Sequence, residues 1–181
     1  MHPRVAELID LLSRERAALL AAVASIPAAD LDRRPAPDAW SVGELLDHLE
    51  QVEAGTARLL ARRLARAREA GLPAEEETSS VLGRLSREEL AARAPREAPD
   101  FVRPRPGTVA ERALGELQRS RDALLEVLRD GDGLALGQVR ATHATLGELD
   151  LYQWIAFIAH HEARHVAQLE RIAAALAQTP G

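Results

Sequence analysis

The stretch from Leu151 to Leu176 constrains this chain most. Its apolar residues Leu151, Trp154, Ile155, Ile158, Leu169, Ile172 and Leu176 recur at helical spacing, so they form one stripe along a helix. Two histidines interrupt that stripe. His161 and His165 are four residues apart and stack one turn from each other on the same face. Imidazoles turned toward an apolar core are costly unless their ring nitrogens find partners. A divalent ion answers that need, because neutral imidazoles at this spacing can grip one metal. A third ligand must then come from elsewhere, and His48 is the candidate. The competing reading of each ring is a core histidine held by hydrogen bonds alone.

Composition narrows the fold and the chemistry. Hydrophobic residues make up 46% of the 181 residues but aromatics only 3%, so Leu, Ala and Val must do the packing, a bias toward helices. This length suits one domain, taken as residues 1–181. The net charge of −5 argues against a nucleic-acid binder. The one basic run, Arg58, Arg62, Arg63, Arg66 and Arg68, reads as the solvated face and C-terminal end of a helix. With no cysteine there is no thiolate ligand or nucleophile, and any metal site must use His, Asp or Glu. No apolar block has the length of a signal peptide core or a membrane span, so a soluble cytoplasmic protein is expected.

Along the chain, Pro3 to Ala24 carries a helical apolar pattern with proline in its first turn. A second helix starts at Trp40-Ser41-Val42-Gly43-Glu44, where Ser41 and Glu44 make the S-x-x-E capping box. It runs to about Arg68, with His48 beside Leu45, Leu49 and Val52 on the inward strip. Residues 71–107 hold five of the ten prolines: Pro73, Pro95, Pro99, Pro104 and Pro106. One short helix is expected there from Ser86, with another capping box through Glu89. So long a link fits a bundle with one crossover and parallel flanking helices. It either covers the mouth of a site or packs as an irregular connector. The third long helix opens at Thr108 by the same capping logic and closes at Asp130-Gly131-Asp132-Gly133. Leu134 to Leu149 reads as a loop, and Asp150 starts the fourth long helix, which carries the histidines to about Ala177.

His161-Glu162-Ala163-Arg164-His165 satisfies H-E-x-x-H literally. A metalloprotease also needs a substrate cleft and a downstream ligand, and only Arg171 to Gly181 remains beyond the motif. Glu44 and Glu162 are the candidates for a general base, although an offset of about 100° per residue turns Glu162 outward from the adjacent ligand. His160 is turned away from the pair by the same angle, behind the ligands or in solvent. His143 falls in a loop, and His2 reads as disordered. Gln168 is placed to hold a backbone group or a water, and Trp154 to fill the core or line a pocket.

Two stretches together carry a resemblance. Trp40-Ser41-Val42-Gly43-Glu44-Leu45-Leu46-Asp47-His48-Leu49 and His161-Glu162-Ala163-Arg164-His165-Val166-Ala167-Gln168-Leu169 resemble the paired signatures of the DinB-like superfamily. The resemblance implies an all-α four-helix bundle with a long crossover between its second and third long helices. It implies a three-histidine site, His48, His161 and His165, for a divalent metal such as zinc or nickel, with water in the open positions. Relatives implied by it include transferases and isomerases that use the low-molecular-weight thiols mycothiol or bacillithiol, and metal-dependent hydrolases. The expectation is therefore an enzyme acting on a small molecule by metal-activated water or thiol, with homodimers common in the family. The alternative is a non-catalytic metal-binding or stress-response bundle.

Overall fold

The structure, a computed structural model, describes residues 1–93 and 98–178; the expected connector proline Pro95 lies outside them. Four long helices account for most of the chain: α1 (Pro3–Ala24), α2 (Val42–Glu69), α4 (Ala110–Asp130) and α5 (Leu151–Gln178). A short α3 (Arg87–Arg93) lies in the crossover between α2 and α4. Among the described residues, no helix is long and apolar enough to cross a membrane.

Local chemistry sets most boundaries. Pro3 occupies the first turn of α1, and His2 caps it by accepting from the Arg4 N–H through Nδ1. His2 is therefore an ordered cap, contrary to the disorder read from its terminal position. At α2, Ser41 Oγ accepts from the Glu44 N–H while the Glu44 carboxylate accepts from the Ser41 N–H, so both halves of the capping box form. Asp150 and Gln153 make the equivalent reciprocal pair at α5. The start of α4 differs. Thr108 Oγ1 donates to the Arg105 carbonyl, and the Ala110 N–H is capped by Asp32 Oδ1 at 2.7 Å. A cap supplied by a residue so distant in sequence cannot be read from a local motif.

Contacts fix the helix directions. Gly43 lies against Ala110, Glu53 bonds Ser120 and Arg121, and Leu64 lies near Gly131. Each pair is offset by about the same number of residues, so α2 and α4 run parallel, as a long crossover requires. Arg4 over the Tyr152 ring and Arg16 on Glu162 likewise make α1 and α5 parallel. At Gly43 an added Cβ would meet Ala110 N and Asp32 Oδ1 at 2.8 Å; glycine is what lets the two helix starts approach.

The core divides into two apolar clusters. One gathers Leu8, Leu12, Leu60, Leu64, Leu124, Leu128 and Ile155. The other gathers Leu19, Val23, Leu45, Leu49, Leu117, Leu169 and Ile172. The segment read as a loop between α4 and α5 is in part a hairpin, β1 (Arg140–His143) paired antiparallel with β2 (Gly147–Asp150). Strands of four residues are too short for alternation to stand out, which is why the sequence pattern does not announce them.

Candidate metal centre and its pocket

α2 supplies His48, and α5 supplies His161 and His165 one turn apart. The bundle brings the three together so that a ligating nitrogen of each lies within 4.8 Å of the others. His161 Nε2 is 3.4 Å from His48 Nε2 and 3.2 Å from His165 Nε2. His48 and His165 are buried and His161 is partly exposed.

The outer nitrogens are already committed. His48 Nδ1 lies 2.7 Å from the Val102 carbonyl, which can only accept, so Nδ1 carries the proton and Nε2 presents a lone pair. His165 Nδ1 faces Gln168 Oε1 at 2.8 Å, with the same consequence. A proton on His161 Nε2 can bridge to only one of its two neighbours, leaving the other neighbour's lone pair without a donor. A cation would satisfy all three. Tetrahedral coordination with metal–nitrogen bonds of about 2.0–2.1 Å separates ligand nitrogens by about 3.3–3.4 Å, close to the 3.4 and 3.2 Å of the two Nε2 pairs above. The donor set therefore fits a divalent ion.

Electrostatics favours the ligating form. Burial, followed by the neighbouring histidines and Arg164, holds His161 well below the ordinary imidazole range. His165 is pushed down to about 3, first by burial and then by His48, against the bond to Gln168. Burial also lowers His48, although its bond to Val102 and the nearby Asp47 oppose this.

The crossover holds His48 in place. Asp47 is fully buried and accepts from the Arg105 N–H at 2.7 Å, from Arg105 Nε at 2.8 Å and from Gln51 Nε2 at 3.0 Å. These bonds pin the segment whose short 3-10 turn, Asp100–Val102, presents the Val102 carbonyl to His48. Leu90, Phe101 and Arg103 of the same connector line a cavity of about 1130 Å³. The connector is thus both the packed link and a wall of the site. All three histidines border this cavity, as do Trp154 and Phe157. The Phe157 ring stacks on His161 with 5.5 Å between centroids. His143, at the end of β1, also lines the cavity and packs on Trp154 and Phe157. Trp154 Nε1 donates to the Ala141 carbonyl, so this ring is buried and borders the cavity at once.

Neither carboxylate considered as a base lines the cavity. Glu44 is committed to Ser41 and to Arg34; burial opposes ionisation, but the Arg34 and Ser41 bonds hold its carboxyl below the usual range. Glu162 is not turned to solvent as its offset from His161 suggested. It is 2% exposed and points into the bundle, where Arg16 Nε donates to it at 2.8 Å and Arg121 Nη2 lies 2.9 Å away. The offset was right, but the bundle centre, not solvent, lies on that side. His160 does not line the cavity; burial and then Arg87 lower its pKa, opposed by Glu15, a backbone bond to Leu85 and Glu88.

The buried charges Arg16, Glu53, Arg121 and Glu162 were missed from sequence, yet a signal existed. Arg16 continues the stripe of Leu8, Leu12 and Leu19, and Arg121 that of Leu117, Leu124 and Leu128. Charges at buried stripe positions on separate helices point to one internal network.

Comparison with known proteins agrees with this architecture. The chain is 28% identical over 142 residues to the uncharacterized protein YuaE of Bacillus subtilis (strain 168), covering 78% of this chain and 82% of that protein. It is also similar to the crystal structure of TT2238, a four-helix bundle protein, with a TM-score of 0.61 and 25% identity, covering 92% of this chain and 98% of that one. A family model for the DinB superfamily matches residues 11–169, and with the bundle, its crossover and the histidine cluster in place, the chain belongs to that superfamily.

Proposed function

We propose that this protein is a metal-dependent enzyme in which His48, His161 and His165 hold one divalent ion, zinc or nickel, at the floor of the cavity. The observation that carries the reading is the convergence of three histidine Nε2 atoms, with the His48 and His165 rings fixed from behind by Val102 and Gln168. Bound there, an ion with three protein ligands would supply Lewis acidity and lower the pKa of a water or thiol in its open position. The chain's own residues orient the rings, bury two of them, and surround the site with the aromatic faces of Trp154 and Phe157.

The wall favours a thiol over water as nucleophile. Among the described residues, Asp38 is the sole carboxylate lining the cavity, and Glu44 and Glu162 are spent elsewhere. Hydrolysis calls for a positioned base to move the water's protons, whereas a thiol becomes a competent nucleophile through loss of one proton. The same shortage of a base supports the second reading, a non-catalytic metal-binding bundle.

Elemental analysis of tag-free protein beside His48→Ala tests the metal. About one equivalent of a divalent ion, lost in the variant, is the outcome expected of a three-histidine site. No metal after reconstitution and dialysis would sink the proposal. Turnover in a screen of low-molecular-weight thiols against small electrophiles then separates the enzyme from the passive binder.

A further inference from the structure

Among the described residues, His143 is the one histidine outside the triad that lines the cavity. It ends β1, opposite Gly147 across the hairpin turn. That turn claims one of its ring nitrogens. The Thr145 and Leu146 backbone nitrogens each lie 3.2 Å from Nδ1. Backbone N–H groups can only donate, so Nδ1 accepts and the neutral ring carries its proton on Nε2. Nε2 makes no hydrogen bond to any described residue and is not sealed from solvent. The turn has no use for it, since the shorter side chain of Asn or Asp also accepts turn N–H bonds.

Helix α5 holds the same ring from below. Trp154 and Phe157 pack on His143 with centroids 5.0 and 4.6 Å away, and both are buried. Phe157 in turn stacks on His161 at 5.5 Å. A single aromatic ring therefore separates His143 from the triad, and all of them border one cavity. Val52, Leu59 and Leu90 add apolar lining.

We propose that His143 is a specificity-determining residue whose Nε2–H donates a hydrogen bond to the carbonyl oxygen of a small substrate lying beside the triad. This rests on reading the cavity as a substrate site. A neutral ring locked as a donor can stabilise negative charge gathering on that oxygen. It keeps its own proton, because the turn N–H groups hold Nδ1 as the acceptor.

The test titrates the nitrogen-15-labelled full chain, zinc-free and zinc-loaded, with cyclohexanone and with methylenecyclohexane, the same shape with CH2 in place of oxygen. The chain has neither cysteine nor lysine, so the ketone meets no thiol or side-chain amine. Long-range proton–nitrogen spectra should place the His143 proton on Nε2, and only cyclohexanone should shift that resonance. Two variants then separate the two nitrogens. His143→Asn keeps an acceptor for the turn but stops short of the Nε2 position. It should weaken cyclohexanone binding roughly threefold to tenfold, the worth of one hydrogen bond. Its affinity for methylenecyclohexane and its thermal midpoint should barely change. His143→Gln reaches the Nε2 position but not the turn, and should restore ketone binding at a lower midpoint. A proton found on Nδ1, or an Nε2 resonance that cyclohexanone leaves in place, would overturn the proposal. So would a His143→Asn variant that loses both probes alike, because His143 would then serve the turn only. Should both variants unfold, the wild-type resonance decides. The zinc-free titration needs no ion, so a protein that binds no metal would sink the proposed function and leave this result readable.

Discussion

Gln168 shows how one side chain outside the histidine cluster orients a member of it. Its Oε1 takes the Nδ1 proton of His165 at 2.8 Å, which fixes the ring's tautomer and turns Nε2 toward the other two histidines. Such partners of ligating histidines are worth about 10–100-fold in metal affinity. Gln168→Ala should therefore weaken zinc binding by at least about tenfold, read by competition with a chromophoric chelator. Gln168 is only partly buried, so the thermal midpoint of the metal-free protein should barely move. Unchanged zinc affinity would mean that packing alone orients His165. At this scale the histidine cluster was legible, because two histidines four apart on an apolar stripe and one beside Leu45 and Leu49 declare themselves. Glu162 was not. Its angle from His161 followed from helix geometry, but which neighbour lay at that angle depended on how four helices pack.

Between helices, a second polar cluster ties three elements at their starts. Arg4 of α1 and Tyr152 of α5 both donate to Glu75 Oε2 of the crossover, at 2.9 and 2.6 Å. Burial, then the bond to Glu75, raises the Tyr152 pKa above its ordinary 10.0. The sign follows directly: above about pH 10 the unfolded chain releases the phenolic proton while the folded one keeps it, so stability falls as pH rises. The chain has one tyrosine, no cysteine and only arginine as its basic aliphatic residue, so Tyr152 is the one side chain titrating there. Urea unfolding at about pH 8 and about pH 10.5 should show a clear alkaline loss in the wild type and almost none in Tyr152→Phe. The variant should start about 1.5 kcal/mol lower at neutral pH for want of a bond to a carboxylate. Equal alkaline losses would refute the coupling. The long helices were legible because their apolar periods and caps are local. The hairpin of Arg140–His143 and Gly147–Asp150 and the Asp32 cap on α4 were not, being too short or too distant in sequence for any pattern to mark.

The whole molecule is built around a change of chemistry halfway along the bundle. Between the two apolar clusters, each long helix places a charge inward: Arg16 from α1, Glu53 from α2, Arg121 from α4 and Glu162 from α5. Arg16 bridges both carboxylates, with Nη2 2.8 Å from Glu53 and Nε 2.8 Å from Glu162. Arg121 closes the ring from the other side at 2.6 Å to Glu53 and 2.9 Å to Glu162. Signs balance, and spare donors reach the Leu117 and Leu12 carbonyls. Apolar stripes tolerate sliding by a turn, whereas this ring closes in one register, the register that sets His161 and His165 opposite His48. Removing one member leaves a carboxylate buried without its full partner, which costs about 3–5 kcal/mol. Arg16→Met should lose that much in urea unfolding, and pairing it with Glu162→Gln should recover part of the loss, since the orphaned charge goes too. Zinc affinity should fall in Arg16→Met although residue 16 touches no ligand, because Glu162 adjoins His161. A loss below about 1 kcal/mol with zinc affinity unchanged would show that apolar packing alone sets the register.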